Sequence, residues 1–177
     1  MLNLSRQHGI SLIEMMIGLA IFGILVMAGL PSYTAWIQNT KIRNTAESVM
    51  SGLQLARSEA LRRNTTVQFT FGADSDWTVS VANPLTTIQT RPSGQGSAGV
   101  TAVRTPSTAT TITFNSLGRV VANGDGTASF TQIDFDVPAT ILPADQSRDL
   151  RITVGSGGRV RLCDPNVAEA TDTRYCS

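Results

Sequence analysis

The chain has 177 residues, enough for one ordinary domain plus an extra segment, and its 41% hydrophobic content is concentrated between Ile10 and Ile37. A net charge of +1 excludes a global basic field, so a nucleic-acid partner would need a local patch. Thirteen of the fourteen basic residues are Arg and one, Lys41, is Lys; Arg is the better fork for phosphate or carboxylate.

Residues Ile10 to Leu30 form an apolar run interrupted by Ser11, Glu14 and the glycines Gly18, Gly23 and Gly29. As a helix the run is about 30 Å long, the thickness of a bilayer core. It is too long for the apolar region of a removable signal peptide, and no small-x-small cleavage site follows it. Residues 10–30 are therefore expected to span a membrane. Glu14 lies within this run, where an ionisable group is costly and marks a functional candidate.

Gly9-Ile10-Ser11-Leu12-Ile13-Glu14 resembles the prepilin processing motif of type IV pilins and type II secretion pseudopilins. The resemblance implies a leader over residues 1–9, with Arg6 supplying its positive charge. It implies cleavage by prepilin peptidase between Gly9 and Ile10, and methylation of the new N-terminus. Ile10 departs from the Phe that usually begins the mature chain. Pro31 falls where the family usually places a helix-kinking proline. The resemblance also implies a subunit held in the bacterial inner membrane by one pass, with a periplasmic head, that joins a pilus or pseudopilus after processing. Its partners would be other pilin subunits, met through the N-terminal helix. In such an assembly the Glu14 carboxylate can pair with the α-amine of a neighbour's Ile10, so that two groups disfavoured by lipid satisfy one another.

Past Pro31 the pattern turns amphipathic. Ile42, Ala46, Val49, Leu53, Ala56 and Ala60 recur at alternating spacings of four and three and define one helical face. One long helix over about residues 10–64 is expected, with its second half packed on a head formed by residues 65–177. Arg57, Arg62 and Arg63 read as a solvated face. Leu53 to Asn64 resembles the helix end of the GspH/FimT pseudopilin family.

The head reads as antiparallel β structure, which makes the fold α+β and pilin-like: a long N-terminal helix on an antiparallel sheet or sandwich. Strands are predicted over 66–71, 77–82, 100–104, 110–115, 119–122, 129–137, 149–154 and 159–163. Turns at Asn83-Pro84, Ser93-Gly94, Asn123-Gly124-Asp125-Gly126 and Gly155-Ser156-Gly157-Gly158 separate several of them. Residues 92–99, rich in Gly and Ser, read as a loop. The head lacks His, a nucleotide-binding glycine loop and a nucleophile elbow, so no enzyme activity, cofactor or metal is expected. Cys163 and Cys176 bracket a short loop, and a disulfide is the default reading for a head outside the cytoplasm.

In the last hairpin both arms alternate. Burying Leu150, Ile152 and Val154 with Val160 and Leu162 predicts that Ile152 pairs with Val160 and Arg151 with Arg161, around a three-residue loop, Gly155 to Gly157. Arg151, Arg159 and Arg161 then form a solvent-facing cluster. Arg159 and Arg161, two strand steps apart at about 6.6 Å, match two steps of a nucleic-acid strand at about 6.8 Å. Such a cluster either binds phosphate or protects an exposed edge by charge. Gly158-Arg159-Val160-Arg161 resembles the GRxR signature of FimT-type minor pilins, which bind DNA during natural transformation, and Gly158 would let a ligand approach. Gly-Arg-Val also occurs at Gly118-Arg119-Val120. The resemblance implies weak, sequence-independent DNA binding that aids DNA uptake. A structural minor pilin that primes assembly and a type II secretion pseudopilin are the competing readings. The tail acids Asp164, Glu169 and Asp172 could order the hairpin or compete with phosphate for it.

Overall fold

The computed structural model describes residues 10–73 and 75–176; the leader, with Gly9 of the cleavage site, lies outside the described residues. Helix α1 runs from Leu12 to Arg63 with Pro31 inside it. Ser11 sits at its N-terminal boundary, its carbonyl accepting from the Met15 amide at 3.2 Å. Glu14 lies in the first turn, where the helix dipole favours an acid. At the other end Arg62 and Arg63 both hold Glu59. Those hydrogen bonds, Arg62's first, hold the Glu59 carboxyl down to about 2. The helix stops at Asn64, whose φ of 50° places it in the left-handed region typical of the residue after a helix end.

The chain divides into two compact units, residues 1–36 and residues 37–177. In the first, residues 10–34 are exposed throughout, including Leu12, Ile17, Phe22, Leu25 and Met27. This part of α1 is long and apolar enough to cross a membrane.

In the second unit the predicted helical stripe is the buried one: Ile42, Ala46, Val49, Leu53, Ala56 and Ala60 are all fully buried. Nine strands follow among the described residues: β1 (Val67–Phe71), β2 (Trp77–Val81), β3 (Thr86–Arg91), β4 (Thr101–Thr105), β5 (Thr111–Phe114), β6 (Val120–Val121), β7 (Gln132–Asp136), β8 (Leu150–Val154) and β9 (Val160–Cys163). They form two antiparallel sheets, ordered β3-β2-β1-β5-β6 and β4-β7-β8-β9. Alternation sets the inner faces. Val67, Phe69 and Phe71 of β1 oppose Val81, Val79 and Trp77 of β2, and all six are buried. Phe130 meets Phe69 edge-on at 6.3 Å between ring centres, and Arg104 of β4 donates to the Phe71 carbonyl at 2.9 Å, tying the second sheet to the first.

β3 is a strand that sequence reasoning missed. Its six residues, Thr-Thr-Ile-Gln-Thr-Arg, are exposed or half-buried on both faces, so no apolar alternation marks it. It is the edge strand beside β2.

The helix approaches the first sheet closely at Gly52. A Cβ there would lie 2.7 Å from Phe69 Cε2 and 3.0 Å from Trp77 Cδ2. Those rings stack at 5.8 Å, and Trp77 Nε1 donates to Ser48 Oγ at 3.2 Å, so neither ring can yield cheaply. Ala favours a helix over Gly by about 1 kcal/mol, but overpacking costs about 1–3 kcal/mol. Gly52→Ala is therefore expected to lower the thermal midpoint by a few degrees, measured by circular dichroism of the full chain in detergent micelles; a raised midpoint would show that the rings move aside.

Candidate nucleic-acid interface

The β8–β9 hairpin keeps the predicted faces but not the predicted register. Ile152 pairs with Leu162, Thr153 with Arg161, Val154 with Val160, and Arg151 with Cys163. The correction is a shift of two residues, which enlarges the loop to five residues, Gly155 to Arg159. The turn causes the shift. The Gly158 amide donates to the Gly155 carbonyl at 2.8 Å and the Gly155 amide to the Arg159 carbonyl at 2.9 Å, with Gly158 at φ +79°. Such a turn uses a glycine in the left-handed region as its fourth residue, so Gly158 belongs to the loop and not to the ladder.

This register breaks up the predicted three-arginine cluster. Arg151 opposes Asp134 of β7 and forms an ion pair with it, so it is committed within the sheet and is not part of a solvent-facing trio. Non-local pairing of β7 with β8 supplied this partner, and nothing near Arg151 in sequence signals it. Arg161 is half-buried and donates from Nη2 to the Thr173 carbonyl at 3.0 Å. Arg159 is exposed at the end of the loop.

The tail reaches Arg161 because it is clasped. Cys163 and Cys176 form a disulfide, and the Asp164 amide donates to the Arg174 carbonyl at 2.8 Å. The tail's backbone meets the hairpin arginine at Thr173. Asp172 is paired with Arg174, whose hydrogen bond holds its carboxyl down to about 2. The Asp164 carboxylate accepts from the Asn166 amide, and Glu169 accepts from Thr171.

Gly158 is buried against a second turn. A Cβ on it would fall on the Gly118 carbonyl oxygen, 3.0 Å from that carbonyl's carbon and 3.2 Å from Arg57 Nε. Arg57 in turn donates from Nε to the Gly118 carbonyl at 3.1 Å, and the Val120 amide donates to the Ser156 carbonyl at 3.0 Å. Arg57 is thus a fastener between helix and turns, which corrects its reading as part of a solvated face. Arg62 and Arg63 are held by Glu59.

The two turns share one construction. In Asn115 to Arg119 the Gly118 amide donates to the Asn115 carbonyl at 2.8 Å and the Asn115 amide to the Arg119 carbonyl at 2.9 Å, with Gly118 at φ +69°. The signal was in the sequence: Ser116-Leu117-Gly118-Arg119-Val120 and Ser156-Gly157-Gly158-Arg159-Val160 both read Ser-x-Gly-Arg-Val. Arg119 and Arg159 are therefore equivalent residues of abutting turns. Both are exposed, and among the described residues neither forms an ion pair.

The assembly residues lie in the first unit. Ile10 is exposed just ahead of α1, and Glu14 is exposed in its first turn.

The family signature described as type II transport protein GspH matches residues 45–158, more than half of the chain. The chain belongs to this GspH family. A prokaryotic N-terminal methylation motif matches residues 4–30. That motif implies processing by prepilin peptidase and assembly with other pilins. The fold is similar to that of the type IV minor pilin FimU of Pseudomonas aeruginosa strain PAO1, at 16% identity and a TM-score of 0.53, over 76% of this chain and 99% of that one. A second crystal form of FimU gives 17% identity and a TM-score of 0.49, over 72% of this chain and 99% of that one. No curated protein matches the chain at a significant level. This GspH-family chain is thus a pilin-like or pseudopilin protein with the pilin fold.

Proposed function

We propose that this GspH-family protein is a minor pilin of a type IV pilus whose head binds DNA through its C-terminal hairpin, without sequence preference, to aid uptake in natural transformation. The observation that carries the reading is Arg159, exposed on a turn that Gly158 pins to the body of the head, with Arg161 two residues further on β9. A guanidinium on a fixed turn can take phosphate oxygens without ordering a loop first. Arg151 is already paired with Asp134, so the reading rests on Arg159 and Arg161. In this reading the chain is cut after Gly9, methylated at Ile10, and anchored in the inner membrane by residues 10–30 with its head in the periplasm. Glu14 then pairs with a neighbour's α-amine in the filament. Glu14→Ala is expected to insert normally but to fall at least several-fold in sheared filaments, quantified by immunoblot; wild-type incorporation would remove this role.

The test is a fluorescence-anisotropy titration of the full-length protein in neutral micelles with a labelled duplex, at 50 and 200 mM salt. Each phosphate contact adds about −0.9 to the slope of log affinity against log salt. Arg159→Gln with Arg161→Gln should weaken binding and flatten this slope. The match to a type II transport family favours a second reading, a type II secretion pseudopilin. A wild-type protein that leaves the duplex free at both salts would leave that reading standing.

A further inference from the structure

We propose that Arg119 is a second contact for the phosphodiester backbone, and that the abutting Gly118 and Gly158 turns make Arg119 and Arg159 one two-arginine clamp. The inference rests on the DNA-binding reading of Arg159. Three observations carry it. The turns are equivalent in hydrogen bonding and in glycine conformation, so each arginine leaves its turn at the same point. The contact is closed: no side chain, not even a methyl, fits between Gly158 and Gly118. The junction is fastened from both sides, by Arg57 Nε on the Gly118 carbonyl and by the Val120 amide on the Ser156 carbonyl.

The spacing suits a polyphosphate. Gly158's Cβ position lies 3.0 Å from the Gly118 carbonyl carbon, and each arginine is the next residue along. Standard backbone dimensions then put the two arginine Cα atoms within about 11 Å of each other. One strand of a duplex offers a phosphate about every 3.4 Å of axis, so two long side chains at this separation can hold phosphates two or three steps apart. Two like charges so placed, with neither in an ion pair among the described residues, repel each other until an anion bridges them. The clamp spans both sheets, because β6 follows one turn and β9 the other. DNA would therefore lie across the junction and not along the β9 edge, where the tail backbone meets Arg161.

The test repeats the anisotropy titration with Arg119→Gln, Arg119→Lys, Arg159→Gln and Arg148→Gln in the full-length protein. Arg148 is an exposed arginine just ahead of β8 and serves as the control. Arg119→Gln keeps the turn's backbone bonds. It should weaken binding about eight-fold at 100 mM salt and flatten the salt slope by about 0.9, matching Arg159→Gln. Arg119→Lys should restore the slope, and Arg148→Gln should leave both quantities unchanged. If Arg159→Gln weakens binding while Arg119→Gln behaves like the control, the clamp is overturned and the hairpin reading stands. If the wild-type protein does not bind, both fall.

Discussion

Gly158→Ala is expected to cost the head about 2–5 kcal/mol. A non-glycine residue in the left-handed region costs about 1–2 kcal/mol, and overpacking adds about 1–3 kcal/mol. The overpacking falls on backbone, since the new methyl would occupy the place of the Gly118 carbonyl oxygen and cannot be relieved by a side-chain rotation. At about 2–4 °C for each kcal/mol in a unit of this size, the thermal midpoint should drop by roughly 10 °C. The measurement is a circular dichroism melt of the full chain in micelles. Gly157→Ala in the same loop is the reference: nothing lies within 4 Å of its Cβ position, and it is not among the positive-φ glycines. Equal midpoints for the two variants would mean that the turns are not locked together.

Reduction of the Cys163–Cys176 disulfide, or Cys163→Ala with Cys176→Ala, is the second large effect. The cross-link spans a sequence separation of 13 residues. Closing a loop of that size stabilises a fold by about 3 kcal/mol, chiefly by restricting the unfolded chain. The expected loss is again roughly 10 °C in the same melt, accompanied by proteolytic sensitivity of residues 164–176. Other ties of the tail, among them those from Asp164 to Arg174, from Arg161 to Thr173 and from Asn166 to Asp149, are hydrogen bonds of about 1 kcal/mol each, individually weaker than the cross-link. A midpoint unmoved by reductant would show that the clasp is dispensable.

The parts of this architecture that are legible in the sequence are those written in periodic apolar patterns. The stripe from Ile42 to Ala60 is legible because alternating spacings of three and four leave one helical face to bury. The inner faces of β1 and β8 are legible for the same reason, with period two. That period also explains the register error. A slip of two residues returns every side chain to its own face, so apolar alternation cannot distinguish Ile152 opposite Val160 from Ile152 opposite Leu162. The turn decides between them, through a left-handed glycine. β3 carries no buried face and so left no pattern. Arg57 and Arg151 have partners far away in sequence, Gly118 and Asp134, and such pairings follow from topology. Arg119 was within reach, because the repeated Ser-x-Gly-Arg-Val marks two turns of one kind.

The bare apolar stretch of α1 has a thermodynamic corollary. Every large side chain from Ile10 to Leu30 is uncovered by the rest of the protein. In a bilayer those groups are already out of water, so moving them from lipid onto neighbouring helices changes their hydration little, and the water-driven gain of about 25 cal/mol per Å² is absent from that step. Polymerisation from the membrane then depends on close fit and polar pairing, terms of a few kcal/mol. The step out of lipid is thus governed by small contact terms and not by the removal of apolar surface from water.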